Sequence, residues 1–311
     1  MIASPSRRDL LAMAAALAVS PAAATDLVFR RSEVLPQPAR RVVVLEFLFA
    51  EMLAQIGAPP VGMSDPRLYP GWIDVDPERL TGVVGVGTRQ QPSLEAVARL
   101  QPDLILGVAY RHAPLFDAFE AIAPTVLLDF APEPAQTRLE SAFALLALIG
   151  GFVGRPEAAA RVAAAAERSI ADAAARLAAA GRAGRRLVVL QELSGLDTYW
   201  VFTADSLSAG LARRLGLRFW PPERSREGVR PLTSEELLAL DDADVLLVSM
   251  TGPGIGLEAK TQSATWRRAP ALRAGRVTLI ERNIWNFGGP GSAARLARRI
   301  SEAILAGPGA G

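Results

Sequence analysis

The stretch Glu157 to Ala180 holds neither proline nor glycine and is built mostly of Ala, Arg and Glu. Pro156 stands at its start, where a fixed φ suits the first helical turn, and Gly181 stands just past its end. This predicts one continuous helix, a rod of about 37 Å at 1.5 Å rise per residue. Its apolar positions are mostly Ala, without the Leu/Ile seam of a coiled coil, so it reads as a rigid strut rather than a dimerising arm.

The chain on either side of the strut alternates short apolar runs with helical ones. Before it, strands are expected at Arg41–Leu45, Val61–Met63, Gly82–Val86, Asp103–Gly107 and Thr125–Leu128. Helices are expected at Phe47–Ile56 (stopping at Gly57), Leu94–Leu100 (capped by Ser93, with Glu95 in the first turn) and Leu115–Ile122. After Gly184, strands are expected at Leu187–Leu190, Tyr199–Phe202, Asp244–Val248 and Arg276–Ile280. The helices there are Leu207–Leu215, Glu235–Leu240 (capped by Ser234) and Ala293–Leu305. A capped acidic helix feeding an apolar strand occurs once in each half, in Ser93–Leu106 and Thr233–Val248. The expected fold is α/β, with two lobes, each a mainly parallel sheet flanked by helices, joined by one long helix. The lobes are expected at 25–152 and 182–311, with the linking helix at 153–181.

Residues 1–24 read as a secretion signal. Arg7-Arg8 form a twin-arginine pattern before the apolar run Leu10–Val19, and Ala22-Ala23-Ala24 offers a cleavage site. The apolar run is too short for a bilayer, which takes about 20 residues. The absence of cysteine rules out a lipid anchor there, so a free periplasmic protein is expected.

Composition excludes much chemistry. Net charge is +2, with both signs interspersed and no basic stripe, so nucleic acid is not an expected partner. Cysteine is absent and His112 is the single histidine, which removes thiolate sites and three-histidine metal centres. No Gly-x-Ser-x-Gly elbow is present, and Lys260, the only lysine, lacks the glycines of a phosphate loop. Gly85-x-Gly87 lacks the third glycine of a dinucleotide fingerprint, while Gly252–Gly256 and Gly288-Gly289-Pro290-Gly291 read as loops. A secreted enzyme using paired carboxylates remains a remote alternative, with no pair nominated. A binding protein without a cofactor is the expectation.

Five phrases then carry a family likeness. They are Arg41–Glu46, Gly57–Gly62, Val86–Glu95, Leu100–Ile105 and the stretch from Trp266 through Ala274-Gly275-Arg276-Val277. In this order they resemble the periplasmic binding proteins of iron-siderophore and cobalamin importers, in particular the hydroxamate (ferrichrome-type) receptors. The resemblance implies capture of a ferric siderophore and delivery to an inner-membrane ABC permease by a monomer. A cobalamin or haem receptor of the same fold is the alternative.

The resemblance also implies ligand contacts from Arg89, Tyr110, Trp72, Trp220, Trp285 and Phe287. Arg111 competes with Tyr110 for its position. It implies permease docking by Glu95 and Glu236, with Glu235 the rival of Glu236. Such a chelate presents apolar surface and polarised oxygens around an already saturated iron. Aromatic walls and a guanidinium fork therefore suit it better than metal ligands. Trp200 and Trp266 are expected in the core, and His112 as a bystander near the cleft rim.

Overall fold

The computed structural model describes residues 27–129, 136–193, 198–250 and 256–307. The twin-arginine segment, its cleavage site and residues 252–255 lie outside the described residues.

The first sheet has the order β1-β6-β5-β2-β3-β4. Its strands are β1 (Val28–Arg31), β2 (Val42–Val44), β3 (Gly62–Met63), β4 (Val84–Gly85), β5 (Leu104–Val108) and β6 (Thr125–Leu128). All neighbours are parallel except β1, which runs antiparallel to β6. Strands β2, β5 and β6 are buried along their whole length, which is why they read as unbroken apolar runs. The partly to fully exposed edge strand β1, VFRR, gives no such signal and was not expected.

The second sheet comprises β7 (Arg186–Leu193), β8 (Thr198–Phe202), β9 (Arg218–Trp220), β10 (Val229–Pro231), β11 (Ala243–Val248) and β12 (Val277–Ile280). Its order is β10-β8-β7-β11-β12, with β9 also on β7. Strands β7, β9, β11 and β12 are parallel, while β8 and β10 enter antiparallel. Pro231 is tolerated because β10 is an edge strand.

The expected strut is a helix over Pro156–Ala179. It buries Ala159, Ala166, Ile170, Ala173 and Leu177, a stripe at helical spacing. Ala159 belongs to the core around the first sheet, and the other four belong to the core around the second. The stripe is satisfied within the chain, largely against the last helix, Pro290–Ala306.

A second helix, Arg138–Phe152, was not anticipated. It is buried on most sides and so shows little amphipathic period, but Thr137 and Glu140 form a capping box at its start. It too contributes to both cores, Leu139 and Phe143 to one and Leu145, Leu146 and Ile149 to the other. The helix expected from Ser234 is instead Ser234–Leu238, capped by Thr233 and closed by a box with Glu236.

Candidate functional site

A cleft of about 600 Å³ opens between the two sheets. From the first lobe, Glu46 follows β2 and caps the helix Phe47–Gln55, its Oε1 accepting from the Phe47 N–H at 3.0 Å. The carboxylate is nearly buried and gathers two guanidiniums. Arg89 Nη1 lies 3.3 Å from Oε1, and Arg111 donates to Oε2.

Arg89 sits in the tight turn from Gly87 to Pro92. Gly87 has φ +94°, and a Cβ there would lie 2.7 Å from the Gln91 carbonyl, so glycine is required. Asp65 accepts from both the backbone N–H of Arg89 (2.9 Å) and its Nε (3.4 Å), while the Phe47 ring lies 4.0 Å beneath the guanidinium. With a side chain only 12 % exposed, Arg89 is locked from three sides.

His112 completes this shell. Its Nδ1 accepts from the Val108 N–H at 3.0 Å, so Nε2 carries the proton and donates to the Arg89 carbonyl at 3.0 Å. Burial pushes its pKa below the usual histidine value. The residue expected to be a bystander is a buried brace under the arginine turn.

Tyr110 and Arg111 both line the cleft, so the competition between them has no single winner. Tyr110 is 66 % exposed and the Arg111 guanidinium lies 4.8 Å from its ring centre. Arg138, at the start of the helix Arg138–Phe152, is a lining residue that the sequence reading missed. Its Nη2 donates to the Arg226 carbonyl at 3.1 Å, its guanidinium lies 5.8 Å from the Phe287 ring, and burial lowers its pKa. Asp129 lines the cleft just after β6.

The opposite wall is Trp200, Val229, Trp285 and Phe287, with Arg226 and Glu227 at its edge. Trp285 and Phe287 meet at 5.4 Å, and Phe287 rests on Phe202 at 5.6 Å. Trp200 was expected in the core, but the period of β8 turns it away from Tyr199 and Val201, which are buried.

Two expected tryptophans are not among the residues lining this cleft. Trp72 packs edge-on against Trp285 at 4.9 Å. Trp220 lies on β9 against the core around Trp266, with Arg230 5.8 Å from its ring. Trp266 is fully buried, as expected, and donates from Nε1 to the Tyr199 hydroxyl at 2.9 Å.

The two acidic helix starts are not equivalent as first paired. Ser93 caps Leu94–Arg99, which puts Glu95 second in its helix. Thr233 caps Ser234–Leu238, so the second position there is Glu235. Glu236 closes the capping box and is held by Arg230 at 2.7 Å, which lowers its pKa. Glu95 and Glu235 are both exposed.

Comparison with known proteins follows the same lines. A family model described as periplasmic binding protein matches residues 42–283. The Fe(3+) dicitrate-binding periplasmic protein FecB of Escherichia coli is 31 % identical over 260 residues, covering 81 % of this chain and 80 % of FecB. The iron(3+)-hydroxamate-binding protein FhuD of Escherichia coli is 26 % identical, covering 85 % of this chain and 86 % of its own length. The crystal structure of the Vibrio cholerae siderophore-binding protein FhuD with Fe3+-Desferal superposes with a TM-score of 0.77 at 27 % identity, covering 86 % of this chain and 98 % of that one. With the matched model spanning residues 42–283 and the cleft lined from both lobes, this chain belongs to the periplasmic binding protein family.

Proposed function

We propose that this chain captures a ferric siderophore of the hydroxamate type in the periplasm and delivers it to an ABC importer. The observation that carries this reading is the make-up of the cleft. Trp200, Trp285 and Phe287 offer flat apolar surface on one side, and Arg89, Tyr110 and Arg111 offer donors on the other. A chelate with a saturated iron asks for both, and for no ligand to the metal itself. FhuD, whose name carries an iron hydroxamate, and the Desferal-bound structure support it, while FecB, whose name carries ferric dicitrate, supports a ferric chelate of either kind.

One observation favours a citrate-type chelate as the second reading. Four arginines, Arg89, Arg111, Arg138 and Arg226, line the cleft against Glu46, Asp129 and Glu227, and carboxylate oxygens suit guanidinium forks. Titrating the mature protein with Fe3+-Desferal and with ferric dicitrate, followed by tryptophan fluorescence, separates the two. Saturable quenching by haem or cobalamin alone would overturn both.

Export by the twin-arginine route and a monomeric state belong to the same proposal. So does permease docking through one exposed carboxylate per lobe, Glu95 and Glu235, with Glu236 committed to Arg230. Replacing Arg7 and Arg8 by Lys should leave unprocessed precursor inside the cell. Normal maturation of that variant would remove the export assignment.

A further inference from the structure

Glu51 is a carboxylate in an unusual place. It lies on the helix Phe47–Gln55 of the first lobe and is completely buried. An unpaired buried carboxylate is costly, so its partners carry information. All three hydrogen-bond donors it accepts from belong to the other lobe. Oε2 accepts from the Gly289 N–H at 2.9 Å and the Ser292 hydroxyl at 2.7 Å, and Oε1 accepts from the Ser292 N–H at 2.8 Å.

These donors are the open start of the last helix, Pro290–Ala306. Its N-cap residue is Gly289, which has no side chain to cap with. Glu51 therefore supplies from another element what an N-cap Ser or Asp would supply locally, with its charge at the favourable end of the helix dipole. The Gly288-Gly289-Pro290-Gly291 phrase, which reads from sequence as a loop, is shaped to admit it. A Cβ on Gly288 would lie 2.8 Å from Glu51 Oε2 and 2.2 Å from the Ser292 hydroxyl, and one on Gly291 would lie 2.4 Å from Gln55 Nε2.

The loop that ends at this cap carries Trp285 and Phe287, two members of the ligand wall. Between them Asn286 is buried and accepts from the Ser208 hydroxyl, a tie within its own lobe. At the loop's start, Arg282 Nε donates to the Gly71 carbonyl at 2.9 Å and Asn283 donates to Asp74 at 3.0 Å. The buried end is held by Glu51.

We propose that Glu51 is the positioning residue of the aromatic wall: from the first lobe it caps the last helix of the second and so fixes the loop that presents Trp285 and Phe287 to the ligand. Burial raises its pKa above the usual carboxylate range, and the three donors offset part of that rise. The proposal rests on the cleft being the ligand site.

Glu51→Gln keeps the shape but puts an amide NH2 against one of the two backbone N–H groups, in whichever orientation it is placed. Two readouts test it. The first needs no ligand: hydrogen exchange over residues 281–293 should speed about tenfold or more, while β5 and β6 stay unchanged. The second is affinity for Fe3+-Desferal or ferric dicitrate, whichever the wild type binds, which should fall about tenfold. That fall should shrink in a Trp285→Ala background and vanish when Phe287→Ala is added, since both side chains that Glu51 positions are then gone.

Ser292→Ala, which removes only the hydroxyl donor, should show the same local exchange change more weakly and serves where Glu51→Gln does not fold. Unchanged exchange over 281–293 in the folded variants overturns the latch. Faster exchange with unchanged affinity overturns its role in positioning the wall. A wild type that binds neither chelate overturns the functional reading, and the exchange measurement then decides the latch alone.

Discussion

Replacing Glu46 by Gln preserves the side chain's outline and removes one charge from the series Asp65, Arg89, Glu46, Arg111. The side chains of Glu46, Arg89 and Arg111 are 8 %, 12 % and 21 % exposed, so solvent offers little compensation. Removing one partner of a fully buried pair costs about 3–5 kcal/mol. Asp65 continues to hold Arg89, and Arg111 is the most open of the three. The expected loss is therefore about 2–3 kcal/mol, and at about 2–4 °C per kcal/mol the melting temperature should drop by several degrees. Urea unfolding followed by tryptophan fluorescence measures it without adding salt. Adding Arg111→Met to the variant removes a charge left without its partner, so the double mutant should recover about 1 kcal/mol. A loss under about 0.5 kcal/mol for Glu46→Gln, or strict additivity with Arg111→Met, would refute the view that this carboxylate organises the arginine wall.

The remaining predictions concern ligand, importer, motion and acidity. Trp285→Phe and Trp200→Phe should each reduce chelate-induced quenching, while Trp220→Phe should leave it unchanged; the reverse order would move the site. Glu95→Arg with Glu235→Arg should leave ligand affinity intact and abolish chelate-dependent growth, and wild-type growth would reduce both residues to helix-start carboxylates. X-ray scattering should change little on ligand binding, because the helix Pro156–Ala179 has no internal Pro or Gly at which to bend; a drop of several ångströms in radius of gyration would count against it. His112 has a lowered pKa, so below about pH 6.5 the unfolded chain takes up a proton that the folded chain resists. Stability should thus fall as pH drops from 6.5 toward the folded value and level off below it, and this slope should be absent from His112→Gln.

Much of the architecture was legible because fully buried parallel strands such as β2, β5 and β11 declare themselves as apolar runs, and the strut by its lack of breakers. The helix Arg138–Phe152 was missed because burial on most sides erases the period that sequence reading depends on, although its Thr137/Glu140 box was there to be read. Arg89, Tyr110, Trp285 and Phe287, named through the family likeness, all line the cleft. Glu46 closed the first family phrase but was given no place in the site, and Arg138 was not named, since a single arginine carries no local pattern and gains its place only from distant chain. Trp72, Trp200 and Trp220 show the limit most clearly. Residue type marks all three as large and flat, but only strand pairing and tertiary packing decide which of them faces the cleft. The same holds for Glu235 and Glu236, where a one-residue shift of the cap decides which is exposed.

The two helices Arg138–Phe152 and Pro156–Ala179 each place side chains in both hydrophobic cores. Neither core is complete without residues that the other also depends on for their helical framework. Severing the chain near residue 182 would strip the second sheet of Leu139, Phe143, Ala166, Ile170, Ala173 and Leu177 at once. The lobes are thus not beads on a rod that can melt in turn. Loosening either one pulls on helices that seal the other, so the molecule should unfold as a single cooperative unit, and a lobe expressed alone should expose the apolar seam its neighbour normally covers.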